Sequence, residues 1–598
     1  KGKIMKKFFM ILLLFFIGCT GTKGSEDEIK EANQFFESIF LDQVQESPEF
    51  QTRLGYKSNY DQWDDITWEA RKKKIRKANH NLKYLHDTID YDKLDEAAKI
   101  SYRLIERRFE RQIESNDYFF NSYPVTHRGG KHSSIPSFLI NYHKVDDEDD
   151  VKDYLKRLRN IEPLMDDLIR ELKFRDDLNI LAPQFVYPQA IKVSQNIISG
   201  YPFEDVKKRN VFFNDFSKKL DKLDLSGPVK TRYLSEAEAI LVTIVNSSYQ
   251  KLIDFLSTQE TKATDNFGVW KYKNGAEYYQ FQLDGYTTLG LTPEQIHATG
   301  LQEVERIHQE IHGIMEATQF EGTLQDFFEF MRTDSQFYYP DNQKGRDAYL
   351  NQVNVIMDTL TANIDQLFNG LPSIPFVVKA VEPYREESAG IAFYQRGKAD
   401  GSRPGIYYAN LYTMQDMPTY KLENLAYHEA IPGHHMQISI ALETKGMPSF
   451  RKYGGYSVYS EGWALYSEAL PKEVGLYKDP YSDFGRLSGE LWRACRLVVD
   501  TGIHHYRWTR EEGIEYYRSN TANPEGECVK MVERHIVWPG QAVSYKIGML
   551  KIQELRQYAH TELGEKFSLQ DFHDIVLRNG AMTMDILQDV VYQWVENQ

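Results

Sequence analysis

A mainly α-helical body is predicted for this chain of 598 residues. Two observations carry that prediction: apolar residues recur at three- and four-residue steps over long stretches, and nothing alternates strand with helix as a parallel α/β sheet requires. The composition agrees. With 41% hydrophobic and 27% charged residues, the chain has enough apolar content to bury a core, which excludes a wholly disordered or collagen-like protein. No internal repeat and no Ser/Gly linker divides it, so residues 28–598 are read as a single domain. The net charge of -15 argues against a nucleic-acid partner, because phosphate binding needs a cationic face. Three cysteines, Cys19, Cys495 and Cys528, have no C-x-x-C spacing and allow at most one bridge.

The elements follow in chain order. Lys6 and Lys7, the apolar run Phe8 to Ile17, and Gly18 with Cys19 have the layout of a secretory signal, too short for a stable membrane span. Phe16-Ile17-Gly18-Cys19 resembles a bacterial lipobox, so residues 1–18 are expected to be removed and Cys19 to carry lipid. That places the chain in the bacterial envelope, lipid-anchored, behind a tether over residues 19–27. Leu94, Ala97, Ala98, Leu104, Ile105, Phe109 and Ile113 mark one amphipathic helix, and Tyr154 through Leu172 another. Thr292-Pro293-Glu294-Gln295 is a capping box with Pro at the first helical position, opening a helix that carries Ile296, Val304, Ile307, Ile311 and Met315. Strands are expected at Phe376 to Val381, Ile391 to Tyr394 and Ile406 to Tyr408, the last two as a hairpin. The strand Ile406 to Asn410 is a candidate edge for an extended peptide.

Chemistry concentrates in Tyr427-His428-Glu429-Ala430-Ile431-Pro432-Gly433-His434-His435-Met436-Gln437. A zinc hydrolase needs imidazoles converging on the ion and a neighbouring carboxylate to take a proton from water. The usual H-E-x-x-H pattern puts its histidines one turn apart, but here the i+4 position is Pro432. On an unbroken helix His435 lies two turns from His428, ~10 Å away, too far for both rings to reach one ion. Proline removes a helical hydrogen bond and clashes with the preceding turn, so a bulge at Pro432-Gly433 is expected to bring His434 round instead. His434 is therefore preferred over His435. The third ligand is assigned to Glu461, 27 residues beyond His434 at the start of the helical pattern Glu461-Gly462-Trp463-Ala464-Leu465-Tyr466, across the turn at Gly454-Gly455. Glu429 is the candidate general base.

The pattern H-E-A-x-P-G-H-x-x-Q followed by E-G-W-A-L-Y resembles the bacterial family called domain of unknown function 885, which looks like a distant relative of the gluzincin zinc peptidases, a group including angiotensin-converting enzyme and the thermostable carboxypeptidases. The likeness extends to Leu291–His297 with Gly300-Leu301, to Asp500–His504, to Pro539–Ala542, and to Ser544–Gly548. It implies a helical fold with a deep cleft between two lobes, Zn2+ on His428, His434 and Glu461, and Glu429 as base. It also implies an oxyanion donor from outside the ligand helices. Where the family is expected to carry Arg-Tyr, this chain has Arg534-His535, so His535 and Tyr545 are alternative donors. The expected activity is hydrolysis of short peptides by a membrane-anchored lipoprotein. A surface glycan binder, using the abundant aromatic residues, is the alternative from another class, and a pseudo-enzyme keeping zinc as a staple is a third. Neither has a use for Glu429.

Overall fold

The computed structural model describes residues 25–382, 386 and 389–598. The predicted leader, residues 1–18, and Cys19 lie outside them. The chain is mainly α. Its first described helix, α1 (Ser25–Gln45), begins inside the stretch 19–27 expected as tether. Glu26, Asp27 and Glu28 occupy the first turn, where negative charge complements unpaired N–H groups. Among the described residues no helix is long and apolar enough to cross a membrane.

Helix α2 (Glu96–Glu114) is capped by Asp95, whose side chain accepts from the Ala98 N–H at 2.8 Å, a contact worth about 1 kcal/mol. It buries Leu104, Ile105 and Phe109. The apolar stripe from Tyr154 to Leu172 belongs to two helices rather than one, α3 (Glu148–Arg159) and α4 (Ile161–Asp177). They part at Asn160, whose amide donates to the Asp61 carbonyl at 2.9 Å, while both feed one apolar cluster and so keep one period. The capping box forms as read: Thr292 and Gln295 bond reciprocally at the start of α5 (Pro293–Ala317). Cys495 and Cys528 are free, buried thiols.

Three short strands form one sheet: β1 (Phe376–Ala380), β2 (Ala392–Gln395) and β3 (Gly405–Ala409). β2 and β3 pair antiparallel with Tyr394 opposite Tyr407, the expected hairpin. β3 also pairs parallel with β1, Val378 opposite Tyr407, which makes it the central strand. The expectation that Ile406 to Asn410 offers a free edge is therefore corrected, because neighbours occupy both its sides.

The interior divides into three large apolar clusters, one built almost wholly from residues 125–256. Another surrounds α9 (Pro480–His504), reached after α6 (Leu422–Glu429), α7 (His434–Glu443) and α8 (Ser457–Glu473). Every residue of α9 from Asp483 to His504 is buried except Arg493, as expected of a helix packed on all sides. α10 (Glu525–Val537) and α11 (Ser544–Leu563) complete the site region. α8 and α11 cross at Gly462 and Gly548, where a Cβ on Gly462 would lie 2.5 Å from the Gly548 Cα. Only glycine permits that approach, which sets the turn carrying Glu461 against the turn carrying Tyr545.

Candidate metal centre

The site is built around a helix that stops. α6 ends at Glu429, residues 430–433 form a turn, and α7 starts at His434, so the expected bulge is a full break between two helices. Gly433 makes the break possible: a Cβ there would lie 1.9 Å from the His428 carbonyl oxygen and 2.4 Å from that of Tyr427. Trp463 of α8 fixes the turn by donating its indole N–H to the Pro432 carbonyl at 2.8 Å. The His434 ring then stands nearly perpendicular to that of His428, centroids 4.8 Å apart.

Glu461 faces both rings. Its Oε2 is 3.7 Å from His428 Nε2 and 3.5 Å from His434 Nε2, and the three ligand atoms lie within 4.8 Å of one another. Bonds of ~2.0–2.1 Å to tetrahedral zinc separate neighbouring ligand atoms by about 3.3–3.4 Å, so small side-chain movements close the set around an ion. Two nitrogens and one carboxylate oxygen are also the right donor types. A second carboxylate orients the first histidine: His428 Nδ1 lies 2.7 Å from Glu468 Oε1, which directs Nε2 toward the centre. Glu468 in turn accepts from the Asn424 amide at 3.2 Å.

Charge in the centre is strongly coupled. Burial alone would lower the His428 pKa, but Glu461 and Glu468 raise it to about 10. For Glu461 burial works upward, yet the neighbouring His428 and His434 hold it well below the usual carboxylate range. The cluster thus attracts positive charge, from protons or from a cation. Glu429 is 6% exposed and its Oε2 has no hydrogen-bond partner. Its pKa is raised by burial, against the lowering effect of His428 and His434.

The other predicted residues separate. His435 turns away, with Nδ1 2.9 Å from the Tyr394 hydroxyl and its pKa pushed down to about 4 by burial. His535 is not brought to the triad. It is fully buried, Nδ1 is 2.9 Å from Asp500 Oδ2, and Nε2 is 2.8 Å from the Tyr517 hydroxyl, which corrects its assignment as an oxyanion donor. Tyr545 is only partly buried and its hydroxyl accepts from Arg534 Nη2 at 3.4 Å, leaving its own hydrogen to donate. Sequence reasoning missed Glu468, although its place two turns after Glu461 on one helix was a usable signal. It also missed Arg493 and Arg496, spaced by one turn on the buried α9. A cavity of about 1120 Å³ lies at the N-terminal end of α8, lined by Arg108, Arg111, Phe281, Phe450 and Tyr456 among others, but by none of the triad.

Comparison with known proteins agrees with this fold. The model of a family described as "Bacterial protein of unknown function (DUF885)" matches residues 48–591. The crystal structure of a protein described as a "putative lipoprotein" from Colwellia psychrerythraea is 30% identical, covering 96% of this chain and 99% of that one, with a TM-score of 0.88. A "putative lipoprotein of unknown function" from Shewanella oneidensis has the same fold at 17% identity, covering 94% of this chain and 99% of its own, with a TM-score of 0.71. No curated protein matches.

Proposed function

The chain belongs to this bacterial family of unknown function, DUF885, and from that premise we propose that it is a zinc-dependent peptidase acting on short peptides, a distant relative of the gluzincins. The observation that carries the reading is Glu429 Oε2, a buried carboxylate oxygen without a partner, next to a convergent His428, His434 and Glu461. His428, His434 and Glu461 would hold the ion. Zinc bound there would polarise a peptide carbonyl and lower the pKa of water.

The chain's own groups do the rest. Glu429 takes a proton from the attacking water and returns it to the departing amine as the C–N bond breaks, leaving a carboxylate and an amine. Burial raises the affinity of Glu429 for that proton. Glu468 keeps the His428 Nδ1 occupied, so that Nε2 presents its lone pair. Tyr545, with a hydroxyl hydrogen to spare, is the donor for the developing oxyanion, a contribution of about 3 kcal/mol where such donors have been removed elsewhere.

Lipid on Cys19 would hold the enzyme in the bacterial envelope, a reading supported by Phe16-Ile17-Gly18-Cys19 and by the description of the Colwellia psychrerythraea protein. Two experiments test the whole. Purified protein should contain one zinc per chain and cleave members of a mixed peptide library until a chelator is added; absence of zinc, or cleavage indifferent to chelator, contradicts it. Cys19→Ser should leave the membrane fraction, and unchanged membrane association would remove the anchor from the account.

A further inference from the structure

The buried α9 carries two arginines one turn apart, Arg493 and Arg496. Arg496 is 5% exposed, yet its Nε and Nη1 have no hydrogen-bond partner, and among the described residues no carboxylate lies within ion-pair distance of it. Its guanidinium stacks 4.4 Å from the Tyr545 ring centre. Arg534, from the last turn of α10, reaches the same tyrosine hydroxyl and Gln541, with its Nε likewise unpartnered. Arg493 comes within 3.8 Å of Glu468 Oε1, but that oxygen is already committed to His428.

Arg496 therefore lies beside two further cations without an ion-pair partner of its own, while Arg493 has Glu468 at 3.8 Å. Burying a charge without a counter-ion is costly, so the cluster is the kind of arrangement that persists where a ligand supplies the missing charge. After burial, mutual repulsion is the next influence: Arg534 and Arg493 both help to push Arg496 down to about 10. The cluster also flanks the triad, since Arg493 lies 3.8 Å from Glu468 Oε1, which is itself 2.7 Å from His428 Nδ1. Guanidinium groups pair with carboxylates through parallel N–H···O bonds and keep their charge in dry surroundings.

We infer that Arg493, Arg496 and Arg534 receive a carboxylate of the substrate beside the triad. The substrate class is then a short peptide cut close to a carboxylate, supplied either by the free C-terminus or by an acidic side chain. The identity of that ligand rests on the peptidase reading, but the anion site itself does not.

The test uses zinc-loaded and chelator-treated full-length protein, titrated calorimetrically with N-acetylphenylalanine, its amide, and N-acetylglutamic acid α-amide, whose one carboxylate is that of the side chain. A charge-assisted contact predicts that one carboxylate probe binds about 10- to 150-fold more tightly than the uncharged amide, with or without zinc. Preference for N-acetylphenylalanine assigns the C-terminal carboxylate, and preference for the glutamyl probe assigns the side chain. Arg496→Met should abolish that preference while its thermal midpoint stays level or rises, because an uncompensated buried charge has gone; Arg496→Lys should retain part of it. A purely structural arginine would instead lower the midpoint of Arg496→Met and leave probe preference unchanged. Equal binding of all three probes by wild type, or preference surviving in Arg496→Met, overturns the inference. If the probes discriminate but no peptide is hydrolysed, the peptidase reading fails and the anion site stands.

Discussion

His428 and His535 are both buried, and both hold a carboxylate against Nδ1, Glu468 at 2.7 Å and Asp500 at 2.9 Å. They differ at the second nitrogen. That of His428 faces Glu461 beside His434, whereas that of His535 is taken by the Tyr517 hydroxyl. Asp500 is saturated as well, accepting from the Tyr279 hydroxyl at 2.7 Å and the Gly540 N–H at 2.9 Å. Burial dominates the titration of His535, whose pKa is lowered despite Asp500, while two carboxylates raise His428. A histidine–carboxylate pair is thus no signature of a metal site by itself. The open second nitrogen and the donors converging on it make the difference.

The largest expected effect breaks the comparison outright. His428→Ala and Glu461→Ala should each lose nearly all bound zinc on dialysis, measured by atomic absorption, whereas His535→Ala should keep its zinc. The cost of His535→Ala falls on stability, about 1–3 kcal/mol in denaturant unfolding, because the buried Asp500 and Tyr517 each lose a hydrogen-bond partner. Zinc lost from His535→Ala, with the fold intact, would dissolve the distinction. The neighbouring pair sharpens it: His434→Ala should empty the site and His435→Ala should not. A subtler change is Glu468→Gln, which weakens the orientation of His428 and should lower zinc affinity by about 10–100-fold in a competition titration, with His434 and Glu461 still in place.

The smallest effect is one of pH. His435 has a folded pKa of about 4, below the ordinary value near 6.5, so the unfolded chain binds the extra proton between those values. Its contribution is full above pH 6.5 and is lost as the pH falls toward 4. Chelator-treated His435→Gln, unfolded with urea at pH 7 and at pH 4.5, should show a loss of stability about 1–3 kcal/mol smaller than wild type shows. An identical loss in both proteins would mean that His435 is not held neutral by its surroundings.

Several of these features were legible in the sequence for local reasons. Pro432 and Gly433 break the helix through chain geometry alone, and that break selects His434 over His435. The capping box at Thr292 and the hairpin before Ala409 are also short-range signals. What sequence could not supply was the occupancy of side chains from distant segments. Asp500 and Tyr517 lie 35 and 18 residues from His535, and nothing in Arg534-His535 reveals that they take both ring nitrogens. The hairpin signal likewise carries no trace of β1, which arrives in parallel and closes the supposed free edge. The stripe from Tyr154 to Leu172 kept its period across Asn160, so the helix break was hidden by a shared burial pattern. Arg493 and Arg496 were visible as charges in an apolar run, but only packing shows that Arg496 goes without a counter-charge.

The central claim is that the open face of His428 serves catalysis, with Glu429 as the proton acceptor. Glu429→Gln keeps size and hydrogen-bonding capacity and removes basicity, so wild type and Glu429→Gln should be compared for zinc content, thermal midpoint and turnover on one cleaved peptide. Turnover should fall by about 10²–10⁴-fold in Glu429→Gln, with zinc and midpoint nearly unchanged. Equal turnover in the two proteins, or zinc lost together with activity, would contradict it.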